Sequence, residues 1–194
     1  STPYIKNTTM ILKYSNFWTS GERGWIPDED GEVLATISAG FKLATGSISA
    51  RDSQGEIISE TLQLGSGTVD PIFSLFLGYP NGKWLISGSI FTRLSMYENI
   101  RGYKYGNEFH NRISVNYDKS DALFLKGGIE SVYTERDTHQ YGEPEIERGG
   151  QWVYVIPGFG FRLSNNIILD IEYPWTVYSY VNESQLVPDG FLRL

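Results

Sequence analysis

Five stretches of the chain alternate apolar and polar residues over eight or more positions, and the connections between them alternate short and long. The clearest stretch runs from Ile167 to Tyr178. One parity holds Ile167, Leu169, Ile171, Tyr173, Trp175 and Val177, and the other holds Asp170, Glu172 and Thr176. A two-residue period puts these sets on opposite faces of an extended strand. The apolar face is rimmed with aromatics and the polar face carries charge, so the pattern predicts a β-barrel that is apolar outside and wet within.

The alternation predicts nine strands, over 8–18, 32–44, 70–79, 83–97, 107–117, 122–134, 151–163, 166–180 and a short 190–194. Pro80-Asn81-Gly82, Asp118-Lys119-Ser120-Asp121 and Ser164-Asn165-Asn166 are tight-turn signals. The other connections, 45–69, 98–106, 135–150 and 181–189, are long. Bacterial outer-membrane barrels put short turns at the periplasm and long loops outside. The expected fold is therefore all-β, an antiparallel up-and-down transmembrane β-barrel forming one domain over 1–194, with both the C-terminus and 19–31 on the periplasmic side.

Composition is compatible with this reading and excludes several others. A mean hydropathy of -0.27 is that of a soluble protein, yet a barrel hides its lipid face in every second residue and keeps such an average. No apolar run reaches the roughly 18 residues of a spanning helix. No basic start precedes an apolar segment, so an exported chain would be mature or trimmed. The absence of cysteine removes disulfides and thiolate metal sites. A net charge of -7 with no basic stripe argues against nucleic acid as a partner. No metal and no cofactor are expected.

Parity assigns faces. Val33, Ala35, Ile37, Ala39, Phe41 and Leu43 point outward against Thr36, Ser38 and Lys42; Trp84, Ile86, Ile90 and Leu94 oppose Ser87, Ser89 and Arg93. Phe109, Ile113, Val115 and Tyr117 oppose Glu108, His110, Arg112, Ser114 and Asn116. In 122–134 the pattern is less clean, because Phe124 and Val132 fall with Lys126 and Glu130. The expected lumen and selectivity residues are Lys42, Arg93, Glu108, Arg112, Lys126, Glu130, Arg162, Asp170 and Glu172, joined by Lys13. Mixed charge of this kind more often forms interior salt-bridge ladders than a solute path. Tyr79, Trp84, Tyr117 and Phe161 flank the short turns, where a membrane-interface girdle would sit. Ordinary core packing in a β-sandwich is the competing account of these rings.

Catalytic residues are not expected. His110 and His139 are the only histidines, and neither has a nucleophile motif beside it. The acidic clusters at Asp28-Glu29-Asp30-Gly31-Glu32 and at Glu135, Asp137, Glu143, Glu145 and Glu147 offer oxygen ligands for calcium but lack EF-hand spacing, so they read as solvated loops. Leu64 to Gly67 lacks the lysine and helix of a phosphate loop and reads as a tight entry into a strand.

Several stretches resemble the outer-membrane β-barrel family named for the MetA pathway of phenol degradation, often labelled transporter-like. They are Gly40 to Gly46, Leu64 to Asp70, Gly102 to Glu108, Trp152 to Phe161 and Val181 to Asp189, in the family's order over most of the chain. The resemblance implies a barrel of about 12 strands in the bacterial outer membrane, passing small hydrophobic or aromatic compounds. Similar members carry further strands before Met10 and end in a full strand closing on an aromatic residue. The chain is thus expected to lack N-terminal strands and the end of its last strand, or to close with a partner chain.

The resulting expectation is a passive channel or facilitator for small solutes, embedded in outer-membrane lipid. Two alternatives stand beside it. One is a plugged structural barrel or subunit of an outer-membrane complex, favoured by bulky inward residues such as Phe91, Phe124, Tyr154 and Ile168. The other is a soluble secreted β-sandwich that binds a ligand.

Overall fold

The computed structural model describes residues 8–15, 33–139, 143–144, 148–164, 167–183 and 189–193, without the side chains of 8–15 and of 61. Its strands are β1 (Thr8–Ser15), β2 (Leu34–Leu43), β3 (Asp70–Asn81), β4 (Trp84–Arg93), β5 (Glu108–Asp118), β6 (Leu123–Thr134), β7 (Gly150–Ser164), β8 (Ile167–Glu172) and β9 (Trp175–Val181). Among the described residues the only helical element is one 3-10 turn, Glu60–Leu62.

Every strand from β1 to β7 pairs antiparallel with its successor in the chain. β8 and β9 lie end to end on the same edge of β7. They occupy the single strand expected over 166–180, which is broken at Tyr173-Pro174. Proline has no N–H to give to a ladder. Tyr173 still donates to the Pro157 carbonyl, and a bulge opposite Val153 and Tyr154 then shifts the register of β9. The short strand expected at 190–194 appears as two bridges, Trp175 with Gly190 and Glu172 with Arg193, on the outer edge of β8 and β9. The strand expected over 83–97 ends earlier, at Arg93. Beyond it Ser95 donates its N–H to the Asn107 side chain, so the backbone leaves the ladder for a loop.

The short turns fall where Gly, Asn and Ser allow them. Gly82 takes a φ of 57°, a backbone region that costs glycine little. At the next turn Ser120 accepts from the Leu123 N–H. The turn residues Asn165 and Asn166, the connection 19–31 and the cluster Asp28 to Glu32 lie outside the described residues.

The sheet curls into a half-barrel, and its register sorts side chains into rows. On the concave face one row runs Leu85, Asn116, Lys126, Gly158, Glu172, and the next but one runs Phe76, Ser89, Arg112, Glu130, Tyr154, Thr176. On the convex face one row runs Leu77, Gly88, Ile113, Ile129, Val155, Trp175. Burial is inverted relative to a soluble sheet. Lys42, Asp70, Glu130 and Glu172 are buried, whereas Ile37, Leu77, Trp84, Ile90, Ile113, Ile129 and Trp175 are exposed. Ile113, at the centre of β5, is 67% exposed.

Candidate functional site

The concave wall carries the polar side chains, in layers that follow the strand register. Nearest the short turns, Arg162 reaches Asp118 at 2.6 Å and lies over the Phe124 ring, 5.0 Å from its centroid. Phe124 can lie flat there because its β7 neighbour is Gly160, where an added Cβ would collide with the ring.

The second layer is a ladder of ion pairs. Arg112 bonds Glu172 through both terminal nitrogens, at 2.5 and 3.0 Å. Lys126 bonds Glu172 at 2.6 Å and also pairs with Asp170. Arg193 pairs with Glu130 at 3.0 Å and lies 3.7 Å from Glu172. Three cations thus converge on the buried Glu172 carboxylate. Gly158 makes this geometry accessible: it stands between Lys126 and Glu172 in the row, and with no side chain it leaves the path between them clear.

Above the ladder lies a mostly apolar layer. Phe91, His110, Val132 and Trp152 follow one another across β4 to β7. His110 rests edge-on against Phe91, with ring centroids 5.4 Å apart. A cavity of about 570 Å³ opens below this layer. Phe76, Leu85, Phe124 and Ile168 form its apolar lining, and Arg112, Lys126, Asp170 and Glu172 are among its charged groups.

The layer nearest the long loops is filled. Lys42 pairs with Asp70 and donates to Ser66 Oγ at 2.6 Å. Arg93 bridges Asp70 at 2.9 Å and Glu108 at 2.6 Å. The Asp70 side chain is 0% exposed.

Over this layer three loops interlock. Asn99 receives the N–H groups of Arg101 and Tyr103 on its Oδ1 and donates to the Ser66 carbonyl, tying 94–107 to 44–69. Arg101 and Tyr105 add contacts to Glu60, through a 2.8 Å ion pair and a 2.9 Å hydrogen bond to its carbonyl. Tyr103, 2% exposed, donates to Asp137 at 2.6 Å, and Asp137 also accepts from the Gly106 N–H and Arg148. Burial, and then the adjoining Asp137 carboxylate, raise the Tyr103 hydroxyl above the usual tyrosine range. Burial, with Glu60 and Asp137 nearby, pushes Tyr105 up to about 12. The Gly-rich entry into β3 also serves this packing. Gly67 has a φ of 71°, and a Cβ on Gly65 would strike the Gly46 backbone.

The expected lumen residues Lys42, Arg93, Glu108, Arg112, Lys126, Glu130, Arg162, Asp170 and Glu172 all lie on the concave face, divided among three ion-pair groups. Sequence reasoning omitted Asp70, Asp118 and Arg193. The first two stand at strand ends beside loop residues, and Arg193 lies in too short a segment for a period to form. The solvated-loop reading of the second acidic cluster fails for Asp137, which is buried among three donors. Glu145 and Glu147 of that cluster lie outside the described residues. Among the described residues no group of three His, Cys, Asp or Glu could hold a metal ion.

On the convex face Trp84 and Tyr117 touch, with centroids 4.5 Å apart, and Tyr79 and Phe161 are exposed near the same end. A second aromatic row lies toward the long loops, where Phe73, Phe109, Tyr133 and Tyr180 share a register line with Ala39, Thr92 and Gln151. Phe109 and Tyr117 on β5 are separated by about 26 Å of extended chain.

Compared with known proteins, the chain matches no protein-family model and no curated protein.

Proposed function

We propose that the chain forms the wall of a bacterial outer-membrane β-barrel that lets small solutes pass by passive diffusion. The observation that carries this reading is the inverted burial. A convex apolar band lies between two aromatic rows, and it backs onto a concave face of paired charges. A soluble protein rarely leaves so large an apolar surface in water. A band about 25 Å tall with aromatic girdles is what lipid requires.

In lipid every backbone donor and acceptor must be paired. Among the described residues the outer edges of β1 and of 189–193 meet no further strand, so within this reading closure of the barrel has to supply partners for both. The resemblance described above supports a total of about 12 strands and small hydrophobic or aromatic solutes. The proposal includes no catalytic residue, metal or cofactor.

A second reading, a plugged structural barrel or complex subunit, draws support from the loop side. There Asp70, Thr68, Tyr103 and Asp137 are buried in one continuous polar network. Reconstitution into planar bilayers tests both. Discrete conductance steps support the facilitator. A folded, heat-modifiable barrel without conductance supports the plugged form, and a monomer stable in detergent-free buffer overturns the membrane assignment.

A further inference from the structure

We infer that the cavity below the Phe91 layer is a binding site for an amphipathic organic anion, with an apolar body seated between Phe76 and Leu85 on one wall and Phe124 and Ile168 on the other. This rests on the barrel reading only for how the solute arrives.

The chemistry of the wall selects the ligand class. Small-molecule sites are mostly apolar concavities of about 300 to 1,000 Å³ with a few convergent polar groups. A cavity of about 570 Å³ lies within that range. Its four large apolar residues come from β3, β4, β6 and β8, so they flank the space from both sides of the curl. A strongly hydrated polar solute would gain little from them.

The charge count supplies the sign. Lys83, Arg112, Lys126, Arg162 and Arg193 line the cavity against Asp118, Asp170 and Glu172, five cations to three carboxylates. This excess arises in a chain whose net charge is -7, so it is local. Within the ladder Glu172 receives Arg112, Lys126 and Arg193 together. Glu130, outside the lining, takes up part of the charge of Arg112 and Arg193. Even with Glu130 counted, cations remain in excess.

An incoming carboxylate would join Lys126 and Arg112 beside Glu172. Ser87 and Ser114, bonded to each other at 2.8 Å, and Ser89 add hydroxyls on the same wall. A ligand cation would meet like charge at Lys126 and Arg112. A neutral apolar ligand would use the rings but leave the cation excess unanswered.

Three probes with one shared body separate these cases: hexanoate, hexanol and hexylammonium, titrated calorimetrically into the full chain folded in detergent. Hexanoate is expected to bind about tenfold more tightly than hexanol, which corresponds to one charge-assisted hydrogen bond, and hexylammonium is expected not to bind. Hexanoate affinity should fall with added sodium chloride. Lys126→Gln should remove most of the hexanoate preference while hexanol binding persists. Because Lys126 belongs to the ladder, Arg162→Gln provides a second variant outside it, expected to weaken hexanoate more than hexanol. Equal binding of hexanoate and hexanol, preference for hexylammonium, or no binding of any probe overturns the inference. Heat-modifiable migration and bilayer insertion are read separately, so failure of the membrane assignment is distinguishable from failure of the anion site.

Discussion

Arg112 on β5 grips Glu172 on β8 with two hydrogen bonds, although β6 and β7 lie between them. In a flat sheet three strand spacings would separate the two backbones by about 14 Å. The bidentate contact is therefore a consequence of the curl, and in turn it holds that curl. Lys126 on β6 meets the same carboxylate, so Glu172 ties β8 to β5 and β6, neither of which shares a ladder with it.

Glu172→Gln should accordingly be strongly destabilising. Removing one member of a buried charge cluster leaves the others unpaired, at a cost of about 3 to 5 kcal/mol. The buried pair with Arg112 is what the amide would break. Urea unfolding of the refolded protein in lipid or detergent measures the effect. A loss below about 1 kcal/mol would mean that the ladder does not hold the sheet.

The convex face makes a depth-dependent prediction. Ile113 stands midway between Phe109 and Tyr117, whereas Ile171 shares the register line of Trp84, Tyr117, Leu125 and Phe159. Ile113→Arg should cost about 2 to 4 kcal/mol in a bilayer, and Ile171→Arg only about 0 to 1. Equal costs would remove the aromatic row as the boundary of the apolar band. Parity assigns both residues to the outer face but does not reveal where along a strand the girdle falls.

At Gly160 the Phe124 ring occupies the space that a side chain would need. Gly160→Ala should cost about 1 to 3 kcal/mol through overpacking. It should also displace the ring from beneath Arg162. Combining it with Phe124→Ala should recover much of the loss, measurable as a double-mutant cycle. Strict additivity would show that the two do not share one site.

The loop network should weaken in alkali. A tyrosine whose folded pKa is raised binds its proton more tightly in the native state. Its stabilising contribution is complete below the ordinary value near 10, and for Tyr105 it is lost as pH rises toward about 12. Near-ultraviolet circular dichroism with tyrosinate absorbance should show loop structure lost across that window. Tyr105→Phe should flatten the part due to this residue. An unchanged profile would show that Tyr105 does not couple the loops to pH.

Much of the sheet was legible because a period of two is a local property. Ile37, Trp84 and Ile113 stand out against Thr36, Ser87 and Arg112 without knowledge of any distant contact. Pro174 also marked its own break, but the alternation continued through it and concealed the interruption. The pairing of charges was not legible, since Arg112 finds Glu172 sixty positions away only after the sheet bends. Asp137 resembled a solvated loop acid for the same reason. Its donors Tyr103 and Gly106 lie 34 and 31 positions earlier, in another loop.

The neighbour-to-neighbour order of the strands has a consequence for assembly. Each new strand needs only the edge left by the previous one, so the ladders can accumulate in sequence. The contacts of Glu172 are different in kind, because they wait for β5, β6 and Arg193 to come within reach. The ionic ladder is thus a late clasp, fastening a curvature that pairwise zippering alone leaves loose.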